Sequence, residues 1–469
     1  MIKNKKNIMI YGAGEAGKQI FNNILKDKYS FKGFIDDNPS NKNFNIKNID
    51  VFSRSEGYSK IKKLKIHKII IAIPSISDDK LNDILDYFSD LKVKIEIVPR
   101  IFSREVKIDY NNVLPINLES LIGRPPVHPD KKLLSKDIEN KKILITGAGG
   151  SIGSVISQIT LDNSPKKITM IDNSELALHN ISSEIDKLNL EKKVDVDFKI
   201  CDISRPEDVN SLFNQNRFDT IYHAAAYKHV PILENNIIQA VRNNILGTYY
   251  LVENAKKYES KKFVLISSDK AVRPTNIMGA TKRFCELILQ SNQNQNTIFT
   301  MVRFGNVFGS SGSVIPIFKK QIMSGGPVTV TSKKTTRYFM TINEASELVI
   351  QAAAMAKGGE VFLLDMGEPV NIYQLAKKMI KSYSEHSRSQ IFNNIDIKLI
   401  GLRPGEKMIE ELLIGNNPEK TKHVKILKSD EPHKPKNLIQ KSLENIKQSV
   451  EQRDQKSIVK TLKNIVDGF

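Results

Sequence analysis

The chain has 469 residues, too many for one compact core, and its length predicts two or three domains. Hydrophobic residues make up 40% and charged residues 26%, which is the composition of an ordinary globular protein. The formal net charge of +19 favours anionic partners such as a pyrophosphate or an acidic membrane face, and it leaves peripheral membrane association open. Compositional drift is the simpler explanation, since lysine is abundant throughout. No zinc-finger spacing or RNA-binding signature is present, so we expect no nucleic-acid partner.

Cysteine usage and the first residues of the chain indicate a cytoplasmic protein. Cys201 and Cys285 form neither a disulfide framework nor a metal-binding spacing, and we expect no metal site. The N-terminal residues run directly into a predicted strand, without the cleavage pattern of a signal peptide. The longest apolar runs, such as Ile69–Ile73, have the length of a strand and fall far short of a transmembrane segment.

The N-terminal part of the chain predicts a small α/β domain, with expected bounds at residues 1–117. An apolar strand at Ile8–Tyr11 precedes a glycine-rich turn and a helical stretch to about Leu25. A second strand, Phe31–Ile35, is followed by two buried-type strands in the segments HKIIIAIP and KVKIEIVP. Strands that alternate with helices predict a parallel sheet.

The glycine-rich turn of this first domain has features of a nucleotide site. Gly12, Gly14 and Gly17 have the spacing of a dinucleotide-binding turn, and Asp36 follows the second strand. No catalytic constellation accompanies these residues. We therefore interpret this part of the chain as an accessory or regulatory domain with a vestigial or occasional nucleotide site.

A larger strand–helix series begins at Lys141, after a proline-rich connector that contains GRPPVHPDKKLL. Its six predicted strands lie in the segments KKILITG, KKITMID, VDVDFKICDI, DTIYHAAA, KKFVLISS and TIFTMVRFGNV. The sequence thus predicts an α/β protein with two tandem Rossmann-like doubly wound parallel-sheet domains. The second domain is expected over residues 118–417, with a smaller substrate-binding region from about residue 307. A basic helical tail is expected over residues 418–469, and we assign it no function.

The turn that opens the second domain stands where a phosphate-binding turn is expected. Glycines allow the backbone to approach a pyrophosphate, and the following helix N-terminus offers N–H groups. Asp172 ends the next strand, where a carboxylate binds the adenosine ribose hydroxyls and repels a 2′-phosphate. No arginine follows to hold such a phosphate, so NAD is favoured over NADP. The predicted contacts are Gly147, Gly149, Gly150, Ser151, Ile152, Gly153, Asp172, Asn173 and Ser174.

Five later segments carry the most specific motifs. They are HAAAYKHVPILE (His223–Glu234), ISSDKAVRPTNIMGATKR (Ile266–Arg283), RFGNVFGSSGSVIP (Arg303–Pro316), TRYFMT (Thr336–Thr341) and GLRPGEK (Gly401–Lys407). From about Leu118 to Leu413 the chain resembles the extended short-chain dehydrogenases of the polysaccharide-biosynthesis branch, whose known members are UDP-N-acetylglucosamine 4,6-dehydratases. The first domain resembles the cytoplasmic domain of the long, configuration-retaining members, whose membrane helices are absent from this sequence. The resemblance also implies a homo-oligomer.

The resemblance assigns catalytic roles at the end of the fifth strand and in the helix that follows. Ser268 matches the hydroxyl member of the dehydrogenase triad, and Asp269 matches the acid that protonates the departing hydroxyl at sugar carbon 6. Lys270 matches the base near carbon 5. Lys282 matches the lysine that holds the nicotinamide ribose, and Met278 stands where most dehydrogenases have tyrosine, as in the long dehydratases.

The remaining expected contacts are spread over several loops. Those on the cofactor side are Asp202, Ile203, Ala224, Ala225, Ala226, Lys228, Asn244 and Lys282. Those on the substrate side are Asn306, Ser313, Arg337, Arg403 and Glu406, of which the last three resemble residues that grip the diphosphate and the uridine ribose. Arginine suits that role because its guanidinium forks onto phosphate oxygens.

The chemistry of such a dehydratase requires both an acid and a base beside the sugar. Oxidation at carbon 4 acidifies the proton on carbon 5, a base removes it, and an acid assists loss of the carbon 6 hydroxyl. A cationic Lys270 would hold Asp269 ionised, the wrong state for an acid, unless desolvation or substrate offsets it. Met278 cannot deprotonate the carbon 4 hydroxyl, and Ser268, Asp269 or a water must do so. Taken alone, the Ser-Ser-Asp-Lys segment is better explained as a helix cap on a surface loop. Its position after a buried strand, and at the correct interval before Lys282, favours the catalytic interpretation instead.

Two alternatives belong to other functional classes. A nucleotide-sugar 4-epimerase shares the hydride transfer but needs no acid–base pair at carbons 5 and 6, so Asp269 and Lys270 argue against it. An NAD-sensing scaffold that has lost the catalytic tyrosine is the non-enzymatic alternative, and an intact Lys282 argues against it.

Overall fold

The computed structural model describes residues 5–23, 29–38, 49–73, 76, 80, 83–84, 87–88, 91, 93–97, 114–115, 129–293, 295–310, 312–386, 395–413 and 418–469. The chain divides into two compact units. The smaller unit comprises Met1–Pro126 with Lys381–Gln390, and the larger comprises Val127–Ile380 with Ile391–Phe469. The expected domain border at residue 117 and most of the proline-rich connector lie outside the described residues.

The smaller unit is built on a six-stranded sheet in the order β3-β2-β1-β4-β5-β6. Its elements are β1 (Lys6–Tyr11), α1 (Glu15–Asn23), β2 (Tyr29–Ile35), β3 (Val51–Phe52), α2 (Arg54–Lys63), β4 (Lys68–Ile71), β5 (Lys94–Ile97) and β6 (Leu114–Pro115). All pairs are parallel except β5 with β6. Along β1, Met9 and Tyr11 pack into one apolar cluster and Ile8 and Ile10 into another. Burial on both faces explains why the strand sequence is continuously apolar.

The larger unit is built on a nine-stranded sheet in the order β20-β21-β17-β12-β11-β10-β7-β8-β9. Its strands are β7 (Lys142–Thr146), β8 (Lys167–Asp172), β9 (Asp195–Ile200), β10 (Thr220–His223), β11 (Lys262–Ile266), β12 (Ile298–Arg303), β17 (Val361–Leu364), β20 (Glu419–Lys420) and β21 (Ile426–Ser429). The run from β9 to β17 is parallel, and β21 is antiparallel to both its neighbours. All six strands that the sequence predicts for this unit are present, and the two doubly wound sheets confirm the predicted fold class.

Helices cover both faces of the larger sheet. They are α3 (Lys131–Ser135), α4 (Ser151–Asp162), α5 (Glu175–Asn189), α6 (Pro206–Gln215), α7 (Val230–Glu234), α8 (Ile237–Ala240), α9 (Gly247–Lys257), α10 (Ile277–Ser291), α11 (Val314–Met323), α12 (Ile342–Met355), α13 (Ile372–His386), α14 (Lys436–Glu451) and α15 (Gln455–Ile465). Adjacent strand residues again divide between two cores, Leu144 in one and Ile143 and Ile145 in the other. None of the helices in the described ranges is both long and apolar enough to span a membrane.

From about residue 306 the chain adds β17, β20 and β21 to the nine-stranded sheet and also forms three separate two-stranded pairs. They are β13 (Asn306–Phe308) with β16 (Phe339–Thr341), β14 (Val328–Val330) with β19 (Ile397–Leu399), and β15 (Thr336–Arg337) with β18 (Val370–Asn371). This is the region in which the sequence predicts a smaller substrate-binding part.

The segment predicted as a basic helical tail, residues 418–469, contains two helices and belongs to the larger unit. The buried residues of α14 include Ile439, Leu443, Ile446 and Val450, at helical spacing, and all four join the main core. Helix α10, against which α14 and α15 pack, is buried at every residue from Ile277 to Gln290. The apolar stripes of α14 and α15 are therefore buried against α10 in the larger unit.

Candidate active site

Most of the predicted cofactor residues, together with Ser268, Asp269 and Lys270, follow the carboxyl ends of β7, β8, β9, β10 and β11. In the sheet, the chain runs from β7 to β8 and β9 on one side and then returns to β10 on the other side of β7. The crevice outside such a reversal is where doubly wound sheets bind their ligands.

The glycine-rich turn after β7 brings a helix N-terminus to this crevice. Gly147 has φ +63°, a conformation that favours glycine. A Cβ atom on Gly153 would lie 2.1 Å from the carbonyl oxygen of Gly147, so α4 can pack this closely only with glycine there. Helix α4 begins at Ser151, and its N-cap Gly150 supplies no side chain to cap it. The first N–H groups of α4 are thereby suited to bind an anion.

The Asp172 carboxylate is fixed beside this turn by backbone donors on both sides. Its Oδ2 accepts the Gly149 N–H at 3.0 Å, and its Oδ1 accepts the Ser174 N–H at 3.0 Å. Ser174 in turn caps α5, with its hydroxyl accepting the Ala177 N–H at 3.3 Å. The carboxylate keeps further lone pairs for a ligand.

A cavity of about 230 Å³ opens between the turn and the ends of the neighbouring strands. The predicted residues that line it are Gly147, Gly149, Gly150, Asp172, Asn173, Ile203, Ala224, Ala225 and Ala226. Ile171, Ala177, Cys201, Tyr227 and Asn243 also line it and were not predicted, although each is close in sequence to a predicted residue. The predicted residues outside its lining are Ser151, Ile152, Gly153, Ser174, Asp202, Lys228, Asn244 and Lys282. A carboxylate, apolar walls and a helix N-terminus fit the ribose, base and pyrophosphate of a dinucleotide.

Asn244 holds the rim of this cavity from behind. It lies in a π-helical segment, Val241–Leu246, and is almost fully buried. Its Oδ1 accepts the Tyr227 N–H at 2.9 Å, and its Nδ2 donates to the Tyr227 carbonyl and the Thr281 hydroxyl, both at 3.0 Å. The side chain predicted to contact the cofactor therefore positions Tyr227, while its neighbour Asn243 faces the cavity.

Helix α10 carries the two predicted residues Met278 and Lys282 one helical turn apart. Both are buried, and Lys282 Nζ donates to the carbonyl of Ile266 at 2.8 Å, at the end of β11. Burial lowers the pKa of Lys282. Lys282 is thus fixed at the end of β11, close in sequence to Ser268, Asp269 and Lys270.

The predicted acid and base lie on a single 3-10 turn, Asp269–Ala271, which begins three residues after the end of β11 and is called the catalytic turn after its predicted role. The Ser268 hydroxyl accepts the Lys270 N–H at 3.2 Å, which is the helix cap that the sequence also allows. It donates to Asp269 Oδ1 at 2.8 Å, and Lys270 Nζ donates to the same oxygen at 3.0 Å. The other oxygen, Asp269 Oδ2, is buried without a partner and lies 3.3 Å from where a Cβ on Gly305 would stand. A buried carboxyl oxygen left in this way is destabilising by about 1–3 kcal/mol, and a hydrogen-bond donor on a bound ligand would remove that cost.

Lys270 lies between two carboxylates. Its Nζ is 3.8 Å from Glu410 Oε1 in addition to the Asp269 contact, and 3.4 Å from Asn306 Oδ1. Burial alone would lower the pKa of Lys270, but the charges of Asp269 and Glu410 outweigh it and raise the pKa. Glu410 was not predicted as a site residue. Its signal in the sequence is weak: it follows the GLRPGEK motif by three residues.

The other predicted substrate residues are only partly brought together. Arg337 is buried, and its guanidinium donates to Glu406 Oε1 and to the Lys407 carbonyl, both at 2.9 Å. Arg403 is exposed, and its backbone N–H donates to the other oxygen of Glu406 at 3.2 Å. Ser313 begins α11 with a buried hydroxyl that has no partner. Arg337 and Glu406 therefore already pair with each other.

A buried ion cluster supports the catalytic turn from the other side of β11. The Ser267 hydroxyl donates to Glu286 Oε1 at 2.6 Å. Arg303 is fully buried and forks onto both Glu286 and Glu431 at distances of 2.5–2.8 Å. Arg283 Nη1 lies within 3.0 Å of the same two carboxylates. Burial would raise the pKa of Glu286, but Arg303 outweighs it and lowers the pKa to about 2. The cluster joins the turn to the C-terminal segment.

The sheet order, the glycine turn and the Met-x-x-x-Lys helix define an extended short-chain dehydrogenase. Residues 143–431 match the family described as polysaccharide biosynthesis protein, and residues 2–99 match a CoA-binding domain. The chain belongs to this polysaccharide biosynthesis family, which includes nucleotide-sugar dehydratases and epimerases.

Three known proteins illustrate the relationship. The chain is 43% identical over 422 residues to the capsular polysaccharide biosynthesis protein CapD of Staphylococcus aureus, covering 88% of this chain and 69% of CapD. It is 31% identical over 287 residues to an inverting UDP-N-acetylglucosamine 4,6-dehydratase of Campylobacter jejuni, covering 60% of this chain and 80% of that enzyme. The crystal structure of Pen from Bacillus thuringiensis has a TM-score of 0.58 and 35% identity, covering 64% of this chain and 91% of Pen.

Proposed function

We propose that this protein is an NAD-dependent UDP-N-acetylglucosamine 4,6-dehydratase of polysaccharide biosynthesis. The observation that carries the proposal is the Asp269–Lys270 pair, which lies directly after β11 with one Asp269 oxygen buried and unpartnered. An acid and a base side by side suit elimination of water, whereas a 4-epimerase needs no acid–base pair at carbons 5 and 6. The cytoplasm is its proposed setting, and a homo-oligomer its proposed assembly.

NAD, when bound, would take a hydride from carbon 4 of the sugar and return it to carbon 6. Gly147, Gly150 and Asp172 would hold its pyrophosphate and adenosine ribose, and Lys282 its nicotinamide ribose. The absence of an arginine next to Asp172 supports NAD over NADP.

Ser268 and Asp269 form one continuous proton path. The Ser268 hydroxyl already donates to Asp269 Oδ1, so it can take the proton of the carbon 4 hydroxyl while passing its own to the carboxylate. Asp269 thereby gains the proton that it needs to release the carbon 6 hydroxyl as water. Among the three groups considered for the missing tyrosine, this geometry favours Ser268.

A single incubation with UDP-N-acetylglucosamine and NAD tests the proposal. The expected product is lighter by one water and carries a 4-keto-6-deoxy sugar. An unchanged mass with a new epimer would instead identify a 4-epimerase. An unchanged substrate, despite bound NAD, would favour the non-catalytic scaffold.

A further inference from the structure

Glu410 is a buried carboxylate that faces the catalytic turn. It is 5% exposed, and its Oε1 lies 3.8 Å from Lys270 Nζ and 4.0 Å from Arg337 Nε. Lys270 therefore has one carboxylate on its own turn and a second on a segment 140 residues later. Two anions beside one ammonium group hold that group in its charged form.

This arrangement conflicts with the role of Lys270 in the proposed function. A lysine can remove the carbon 5 proton only when it is neutral, because an ammonium group has no lone pair. Asp269 loses its negative charge when it becomes the protonated acid for carbon 6. Glu410 is then the remaining anion that holds Lys270 as a cation.

We propose that Glu410 is a positioning residue that acts through Lys270, by accepting its proton when the substrate binds. Once substrate binding closes the 3.8 Å separation to hydrogen-bond distance, the proton moves from Lys270 Nζ to the Glu410 carboxylate, and a charged pair becomes a neutral pair. Lys270 then takes the carbon 5 proton and later returns it, after which Glu410 returns its own proton to Lys270. The transfer conserves protons and needs no further reagent. This inference rests on the proposed function.

The groups around Glu410 act on its pKa in opposite directions, so that both the charged and the neutral form of the Lys270–Glu410 pair are accessible. Burial and the Asp269 charge raise the pKa of Glu410, while Lys270, Arg337 and Lys407 oppose them. A substrate that closes over the site removes water, which penalises the charged pair more than the neutral pair. The exchange can therefore follow substrate binding.

The first experiment measures the pairing without any substrate. Trace acetylation of the full-length protein at increasing pH, read by mass spectrometry of the Lys270 peptide, gives the pH at which this amine becomes reactive. Glu410→Gln should move that midpoint down by about 1–3 pH units, since a nearby anion is lost. Glu411→Gln is the matched control, because Glu411 binds Arg273 and Lys407 and makes no contact with Lys270 among those described.

The second experiment measures the proton transfer itself. The 4-keto-6-deoxy product is returned to each variant in deuterated water, and deuterium uptake at carbon 5 is followed by mass spectrometry. The rate of deuterium uptake by the wild-type protein should change little with pH around neutrality, because Lys270 becomes neutral by passing its proton to Glu410 and not to water. Glu410→Gln should instead give a rate that rises about tenfold per pH unit, since Lys270 must lose its proton to water. Glu410→Asp should restore part of the flat profile.

Different outcomes reject different statements. An unchanged labelling midpoint in Glu410→Gln, or an exchange rate lowered equally at every pH, overturns the role of Glu410 while wild-type water loss still supports the dehydratase. A wild-type protein that neither releases water nor exchanges carbon 5 overturns the proposed function and the proton transfer together. In that case the acetylation midpoint of Lys270 in Glu410→Gln still shows whether Glu410 and Lys270 form a charged pair.

Discussion

The two units share nearly the same arrangement of a glycine-rich turn and an aspartate. In the smaller unit Asp36 Oδ2 accepts the Ala13 N–H at 2.7 Å and Oδ1 accepts the Asn38 N–H at 2.8 Å. Asp172 accepts from the glycine turn and from the residue two positions later in the same way. A Cβ on Gly17 would lie 2.0 Å from the carbonyl oxygen of Gly12, matching the approach at the turn of the larger unit.

The units differ in what surrounds this arrangement. Beside Asp36, Arg54 is already paired with Asp37 at 2.7 Å and Asp83 at 2.5 Å, and Tyr11 donates to Asp37. The larger unit instead has an unpartnered oxygen on Asp269 at its strand ends. A shared turn and aspartate therefore do not by themselves make a unit a candidate for catalysis. Among the described residues, a buried carboxylate oxygen without a partner distinguishes the larger unit.

The largest expected effect on activity comes from replacing the proposed acid or the proposed base, both of which lie in the larger unit. Lys270→Ala and Asp269→Asn should each abolish detectable water loss, since a general acid or base contributes about 10²–10⁴-fold. NAD affinity should change little, because these side chains face the sugar. Turnover and NAD binding are measured on the same preparations, with Glu411→Gln as control. Near-wild-type turnover would remove the altered residue from the mechanism.

Low pH should destabilise the larger unit, because His223 is buried there in its neutral form. Burial, with a smaller effect from Lys282, lowers the pKa of this histidine to about 3, while its imidazole bonds Thr146 and Thr248. The unfolded chain binds a proton below a pH of about 6.5, so the free energy of unfolding should fall by about 1.4 kcal/mol per pH unit below that value. Denaturant melts at neutral pH and at about pH 5 measure the slope. His223→Gln should flatten it, and an identical slope in the variant would contradict this assignment.

The two aspartates that follow the second strands should differ in their effect on the cofactor. We expect wild-type protein to bind NAD more tightly than NADP, and Asp172→Ala to reduce that preference by about tenfold, the effect of one lost charge-assisted hydrogen bond. Asp36→Ala should leave the preference unchanged. Dissociation constants for both cofactors decide the matter, and tighter binding of NADP by the wild type would reject the role of Asp172.

The product should keep the substrate's configuration at carbon 5. This prediction concerns the identity of the product and not the rate of its formation. Met278 offers no proton to the sugar, so Lys270 can remove and return the proton on one face. The dehydratase of Campylobacter jejuni is named as inverting, which makes the contrast informative. The reaction is run in deuterated water and carbon 5 is assigned by NMR coupling constants. An L-arabino product that appears first, before slow epimerisation, would place this protein with the inverting enzymes.

The sequence was sufficient for features that depend on local pattern. Apolar runs such as Ile143–Ile145 identify strands because burial on both sides of a parallel sheet demands them. The glycine turn and Asp172 were identifiable because their spacing along the chain determines their geometry.

Features that depend on distant contacts were not predictable in this way. Glu410 reaches Lys270 only because the segment after residue 400 returns to the end of β11. The C-terminal helices were expected as a tail because lysines dominate their composition, whereas their apolar stripe has meaning only against α10. A linear pattern shows that such a stripe exists but does not identify its partner.

The buried cluster around Arg303 restricts where the chain can be cut. Glu431 is the last residue of the family match, yet it supplies half of the carboxylates that neutralise a fully buried guanidinium. A truncation just before it would leave the two buried guanidinium groups of Arg303 and Arg283 with Glu286 as their one remaining carboxylate in the cluster, and removing one partner of a buried ion pair typically costs about 3–5 kcal/mol. The loss would reach Ser267 through Glu286, and so the turn that carries the acid and the base. The C-terminal segment is therefore part of what holds the proposed acid and base in place, although it lies far from them in the sequence.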